Sequence, residues 1–419
     1  MKSSLTDLKE VFESKETKEW RWSQLKDIAG INPRRPRGLK RPEEAPTTFV
    51  PMPSVDGTSG NVSDPLERPF GEIKKGYTYF EENDVLFAKI TPCMQNGKHV
   101  IARNLIDGIG FGTTEFHVIR PGDEIIPEWI HLYIRQPSIL NEAVTHFTGS
   151  VGQQRVPSYF LEDLAIPLPS LSEQKRIAAI LNDRMADIAC ARAATEAQLE
   201  AAEALSAAYL REIFESKEAK QWPKVRLGDH ASKIGSGVTP RGGQSAYKPE
   251  GIPLIRSQNI YLNRFIPNGL VFIDQEQDQK MRNSRVEKGD VLLNITGASI
   301  GRVCVVPDEI CPANVNQHVS IIRTGILNPD YLSFYMSNPV FQSFIMNSQS
   351  GATRQALTKS MIEDFFIPCP PTKIQLKIVK DILHRIKISE KIITDLRLQM
   401  QTIDAIPSAV LNNAFNGEL

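Results

Sequence analysis

Leu168-Pro169-Ser170-Leu171-Ser172-Glu173-Gln174-Lys175-Arg176-Ile177-Ala178-Ala179-Ile180-Leu181 opens a helical run that extends to about residue 216. The same design returns 201 residues later as Cys369-Pro370-Pro371-Thr372-Lys373-Ile374-Gln375-Leu376-Lys377-Ile378-Val379, leading into a second run that reaches Phe415. In both copies a proline-marked entrance precedes apolar residues at steps of three and four, the pattern of a helix start. Working outward, Phe12-Glu13-Ser14-Lys15-Glu16-Thr17-Lys18-Glu19-Trp20 recurs as Phe214-Glu215-Ser216-Lys217-Glu218-Ala219-Lys220-Gln221-Trp222, identical at seven of nine positions. The correspondence runs on through Leu25/Leu227, Asp27/Asp229, Ala29/Ala231, Arg120/Arg323 and Gln174/Gln375. A period near 200 residues is far too long for a solenoid unit, so the chain reads as a duplicated domain plus helix. Leu8 and Phe12 match Leu210 and Phe214, so residues 1–20 read as a helical extension equivalent to the end of the first long helix.

The 419 residues exceed one ordinary core, and 49 basic against 49 acidic side chains exclude a uniformly basic nucleic-acid coat while leaving local basic faces open. The five cysteines are odd in number, scattered and free of any CxxC pair, which suggests neither a disulfide frame nor a zinc site. The first residues carry no apolar signal region and no run approaches a membrane span, so a cytoplasmic protein is expected.

Five segments follow: the extension 1–20, a domain 21–166, a long helix 167–217, a second domain 218–367 and a long helix 368–419. The domains read as mixed α/β, because short runs such as Val85-Leu86-Phe87 and Val291-Leu292-Leu293 are punctuated by Gly, Pro, Asn and Asp. In the first helix the seam runs Leu181, Met185, Ile188, Ala191, Thr195, Leu199, Ala202; adding 201 gives Ile382, Ile386, Ser389, Ile392, Leu396, Met400, Ile403. This path steps through Ala191 to keep the charged Arg192 off the seam, a break in the heptad. Small residues in one helix against large ones in the other predict an intramolecular coiled coil, taken as antiparallel, the alternative being two amphipathic helices each lying on its own domain; Pro407 is expected to kink the second helix. Antiparallel pairing would relate the two domains by a pseudo-twofold axis along a seam of about 50 Å at 1.5 Å per residue. Two related domains so held are how dimeric DNA readers address two half-sites.

Enzymatic motifs are weak. Gly108-Ile109-Gly110-Phe111-Gly112 precedes a strand-like run where a dinucleotide fold needs a helix, and reads as a turn or a close backbone approach. Pro370-Pro371 lacks the flanking residues of an amino-methyltransferase loop. Glu72-Ile73-Lys74 with Asp64 has the bare letters of a metal-dependent nuclease, but Asp64 does not follow an apolar strand. There is no Walker A loop, HExxH or GxSxG, and the seven histidines do not cluster in sequence.

Polar loop residues offer a binding reading instead, because Lys and Arg contact phosphates while Arg, Lys, Asn and Gln read base edges. The candidates in the first domain are Arg34, Arg35, Lys89, Thr91, Gln95, Asn96, Lys98, Thr114, Gln154 and Arg155. In the second they are Arg256, Asn259, Asn294, Thr296, Asn316, Gln317, Arg354 and Gln355. Taken singly, each reads equally well as a solvated or capping group. The pairs Lys89/Asn294, Thr114/Gln317 and Gln154/Gln355 recur at matched places with mostly different identities, as readers of different half-sites would. Lys and Arg balance Asp and Glu at sixteen each over residues 20–160 and exceed them fifteen to ten over 222–360, a modest charge that suggests a partner adds to the grip on DNA.

LPSLSEQKRIAAIL with PCPPTKIQLKIVKDI, the paired helices, the closing Ala414-Phe415-Asn416-Gly417-Glu418-Leu419, and the domain stretches GYTYFEENDVLFAKITPCMQNGKHVIA and GDVLLNITGASIGRVCVVP resemble the specificity subunit of type I restriction-modification systems, over essentially the whole chain. The resemblance implies an α+β fold of two target recognition domains joined by the coiled coil. It also implies a non-catalytic reader of double-stranded DNA, one domain per half of a split target, with the helices fixing the spacer. Partners would be two modification (methyltransferase) subunits that methylate adenine and restriction subunits for ATP-driven cleavage. The chain itself would hold no cofactor, S-adenosylmethionine, ATP and Mg being expected in those subunits, and no membrane partner is expected. The rival readings are a single-chain DNA-modifying enzyme and a coiled-coil scaffold that does not touch DNA.

Overall fold

The computed structural model describes residues 20–57, 59–150, 152–347 and 356–418. The extension expected over residues 1–20 therefore lies outside the described residues, apart from Trp20. The chain divides into two compact units, residues 1–196 with 398–419 and residues 197–397, so each long helix contributes to both.

The two units share one topology. In the first, the strands Ala29–Ile31, Phe116–Pro121, Val85–Ala88 and His99–Ile101 form an antiparallel sheet in that order. A second sheet is ordered Leu66–Pro69, Pro46–Val50, Ile109–Gly112, Thr78–Glu81, with its middle pair parallel. The second unit repeats the first sheet as Ala231–Ser236, Val319–Thr324, Val291–Asn294, Val303–Val305. It repeats the second as Val271–Ile273, Ile252–Ile255, Ala313–Val315, Arg285–Val286, again parallel at the centre.

Strand alternation sets the layers. Leu86 and Ala88 point between the sheets with Val50, Phe80 and Phe116, whereas Val85 and Phe87 face a helical layer containing Trp129, Phe160 and both long helices. Leu292 and Leu293 divide in the same way. The glycine-rich stretch is the strand Ile109–Gly112, where a Cβ on Gly110 would come within 2.4 Å of the Phe80 ring; close approach explains the glycine. At the sheet edge Asp84, 1% exposed, accepts two bonds from Arg120 (2.9 and 2.8 Å), and Asp290, 0% exposed, accepts two from Arg323 (2.7 and 2.8 Å). Pairing at this geometry is what permits a carboxylate to be buried.

The repeated glutamines explain the stretch that opens each helix. Gln174 accepts from the Ile126 amide (3.0 Å) and donates to the carbonyls of Glu124 and Pro169 (2.9 Å each). Gln375 accepts from the Asn328 amide (2.7 Å) and donates to Ile326 and Pro370 (3.1 and 2.9 Å). Each thus locks the first turn of a long helix to the loop before its own domain's Pro-initiated helix, Pro127–Ile134 or Pro329–Ser337. Ser170 caps the first helix by accepting from Glu173 (3.3 Å), within the Ser-x-x-Glu signature of a capping box.

The long helices are Leu171–Phe214 and Thr372–Phe415, the second continuing through Pro407. Within the first unit, Ile177 and Leu181 share a core with Leu411 and Phe415, and Arg192 pairs with Asp404 (3.0 Å). Within the second, Leu210 and Phe214 share a core with Ile378 and Ile382, while Glu203 pairs with Arg397 (2.9 Å) and Glu212 with Arg385 (3.1 Å). Low numbers meet high ones in both units, so the helices pair antiparallel.

The seam departs from expectation by one residue in each helix. Ala191 is exposed and Arg192 is partly buried; Ile392 is 40% exposed and Ile393 takes its place. Leu181, Met185, Ile188, Leu199, Ile382, Ile386, Leu396, Met400 and Ile403 are buried or half-buried, so both seams keep an unbroken heptad. Arg192 is tolerated on it because its guanidinium reaches outward to Glu196 (3.0 Å) and across to Asp404, keeping its charged end wet. No helix among the described residues is long and apolar enough to cross a membrane.

Candidate nucleic-acid interface

In the first unit the chain leaves the central strand Val85–Ala88 into a meeting of three loops. The Lys89 amide donates to Glu115 O (2.9 Å), Lys89 O accepts from the Val156 amide (2.8 Å), and the Thr91 amide donates to Gln154 O (3.0 Å). These backbone bonds bring Lys89, Thr91, Thr114, Gln154 and Arg155 to one place. Arg155 is gripped by Glu115 through two bonds of 2.8 Å and donates a third to Gln153 O (2.9 Å), which holds the Glu115 carboxyl below its usual pKa. Thr91 donates to Gln95 (2.5 Å), and Gln95, Asn96 and Thr114 are exposed. Arg34 and Arg35 follow strand Ala29–Ile31 and line one cleft with Lys89. Lys98 departs from the expected set: its ammonium donates to Met52 O and Val55 O (3.1 and 3.0 Å) and braces that turn.

The second unit repeats this backbone frame. The Ile295 amide donates to His318 O (3.0 Å), Ile295 O accepts from the Leu357 amide (2.8 Å), and Thr296 bridges Ala356 where Ile90 bridges Arg155. Lys89 is therefore the counterpart of Ile295, and Ala88 that of Asn294. The matching of Lys89 with Asn294 is wrong by one residue, which places the two side chains on opposite faces of the strand. Asn294 is fully buried on the sheet's inner side, where its amide donates to Ser257 O (2.8 Å). Thr114 and Gln317 do correspond, each preceding the residue whose carbonyl accepts from the strand end.

Burial removes further candidates of the second unit. Asn259, 0% exposed, accepts from the Arg256 amide (3.0 Å) and donates to Ile266 O and Asn268 O (2.9 and 3.3 Å), so it holds a loop. Asn316, 8% exposed, accepts from the His318 amide (3.1 Å) and shapes the turn. Arg256 donates to Gly269 O (2.6 Å) and lies 5.6 Å from the Tyr247 ring centroid. Gln317 is exposed and its amide donates to His318 Nε2 (2.8 Å), which leaves His318 Nδ1–H to donate to Thr296 Oγ1 (2.5 Å). Sequence reasoning misses Glu115, the centre of the first network, whereas His318, the centre of the second, lies in the polar loop Asn314-Val315-Asn316-Gln317-His318 that the sequence offers. The signal was the residue ending each matched turn, Thr114-Glu115 and Gln317-His318. Arg354 and Gln355 lie outside the described residues.

The arrangement is thus one backbone frame built twice, presenting different polar side chains and no evident catalytic constellation among the described residues. The family model described as type I restriction modification DNA specificity domain matches residues 17–201 and 219–398, once per repeat, and the chain belongs to that family. The chain is 27% identical to the type I restriction enzyme EcoEI specificity subunit of Escherichia coli, over 94% of this chain and 82% of that protein. It is 42% identical to the EcoAI specificity subunit of Escherichia coli over 38% of this chain and 26% of that protein. The fold matches the HsdS subunit from Thermoanaerobacter tengcongensis with a TM-score of 0.67 at 21% identity, covering 97% of this chain and 99% of that one. A chain from a type I R-M system gives 0.76 at 22% identity, covering 97% and 100%.

Proposed function

We propose that this chain is the DNA-recognition subunit of a type I restriction-modification complex, with each unit reading one half of a split duplex target. The observation that carries this reading is a conserved frame with divergent contents. Lys89, Glu115 and Arg155 of the first unit stand where the second has Ile295, His318 and Ala356, although the backbone bonds around them are the same. A scaffold needs no such divergence, whereas two half-sites of different sequence require it. Catalysis, S-adenosylmethionine, ATP and Mg then belong to partner modification and restriction subunits, and the continuous helices set the unread spacer.

The test is selection of duplexes from a random pool by the chain assembled with a modification subunit. A two-part consensus is expected. A pool that emerges unselected would favour the scaffold, and methyl transfer by the chain alone would favour the single-chain enzyme.

A further inference from the structure

The first unit carries an open cleft of about 490 Å³ whose lining includes Arg34, Arg35, Lys74 and Lys89, with Tyr77 and Asn32 beside them; no lining residue is a carboxylate. A neighbouring cleft shares Arg35 and Lys74 and adds Lys40 and Lys75, and its one acid, Glu43, is engaged by Lys74. His117 adds no charge. It lies 7% exposed, burial lowers its pKa, and its ring is held between Asn32 (3.0 Å) and Val156 O (2.8 Å).

Lys89 is the unusual member. It is half-buried, and its ammonium makes no hydrogen bond or ion pair among the described residues. The nearest carboxylate acting on it, Glu115, already gives both oxygens to Arg155. Burial lowers its pKa from the usual lysine value. The second unit has Ile295 in this position, 9% exposed within its core. A lysine where the sibling domain keeps a core isoleucine incurs a desolvation cost that Glu115, already committed to Arg155, offsets only in part, and an arriving anion would offset the remainder. Arg34 is exposed and makes no bond among the described residues, and Arg35 spends one nitrogen on Lys74 O (2.7 Å), leaving donors free for the same anion.

We propose that this cleft seats a backbone phosphate of the DNA half-site read by the first unit, with Lys89 as its inner cation and Arg34 and Arg35 at its mouth; the second unit, with Ile295 in that place, lacks the inner cation. The proposal rests on the DNA-reading function above. It gives the first half-site one inner phosphate contact, and about one in the salt slope, that the second unit has no counterpart for at Ile295.

The experiment uses the full chain in its assembled complex and a duplex carrying the site that the wild type selects. Affinity is measured across salt concentrations for wild type, Lys89→Met and Arg34→Ala. Each substitution is expected to lower the slope of log affinity against log salt by about one, worth about tenfold between 1 M and 0.1 M salt, without changing the selected bases. One phosphate of one half-site, replaced by neutral methylphosphonate, should weaken wild-type binding and leave Lys89→Met unaffected. Unchanged slopes in both variants, or methylphosphonate losses as large in Lys89→Met as in wild type at every position, would overturn the site. Should Lys89→Met fail to assemble, the exposed Arg34→Ala carries the test alone. A wild type that selects no duplex would instead sink the DNA-reading function, and this site with it.

Discussion

The two units are one design with two interiors. Behind the first unit's central sheet lie His99, His131 and Arg135; the second unit has Val303, Ser333 and Ser337 in those places. His131 Nε2 bonds His99 O (2.8 Å), whereas Ser333 donates to Asn263 (2.8 Å). Burial pushes His131 down to about 3 and His99 well below its ordinary value. The frame is held by backbone bonds, the paired Asp–Arg and the helix-locking Gln, which left the remaining positions free to diverge. The comparison teaches that what was duplicated is the scaffold, and that charge was then distributed differently within it.

The shared ion pair should give the largest effects. Removing Arg120 or Arg323 leaves a buried aspartate unpaired, and each substitution to Ala is expected to cost about 3–5 kcal/mol, read as earlier hydrogen exchange in its own unit only. Equal loss in both units would break the picture of two separate cores. Gln174→Ala or Gln375→Ala should cost about 2–3 kcal/mol by orphaning a buried amide and two carbonyls, again in one unit, as seen by thermal melting with unit-resolved exchange.

Acid should separate the units next. His99 and His131 are held neutral in the fold, so the unfolded chain binds more protons below about pH 6.5. Stability from this source is complete above that pH and falls as pH drops toward about 3 for His131. At pH 5 the loss is about 2 kcal/mol for His131, and His99 adds to it in the same direction, so exchange should accelerate in the first unit and not in the second. His131→Ser, copying the second unit, should flatten the difference. The smallest effect belongs to the seam. Ile393→Ser should cost about 1–2 kcal/mol and Ile392→Ser well under 1, and the reverse order would restore the broken heptad.

The repeat, the α+β class, the long helices and their antiparallel pairing were legible, because identity at a fixed offset and a seven-residue rhythm survive in sequence. The seam at residues 191–192 is not legible in sequence, because polarity alone argues against Arg192, and Asp404, the residue that accommodates it, is 212 positions away. Identity aligns Lys89 with Asn294 through the threonines that follow, Thr91 and Thr296, whereas strand pairing, visible only in backbone bonds, sets the correspondence one residue off. Of the candidates, Asn259, Asn294, Asn316 and Lys98 carry the right chemistry for reading bases but spend it on backbone carbonyls and amides of this chain, near in sequence for Asn259 and Asn316 and distant for Asn294 and Lys98. Nothing in composition distinguishes an amide that holds a loop from one that faces outward.

The most direct measurement is target selection by the assembled complex carrying Gln154→Ala in one preparation and Gln317→Ala in another. Two units reading separate halves predict a two-part consensus in which each substitution relaxes a different part and leaves the spacer unchanged. Relaxation of both parts by either substitution, or of the same part by both, would contradict the account.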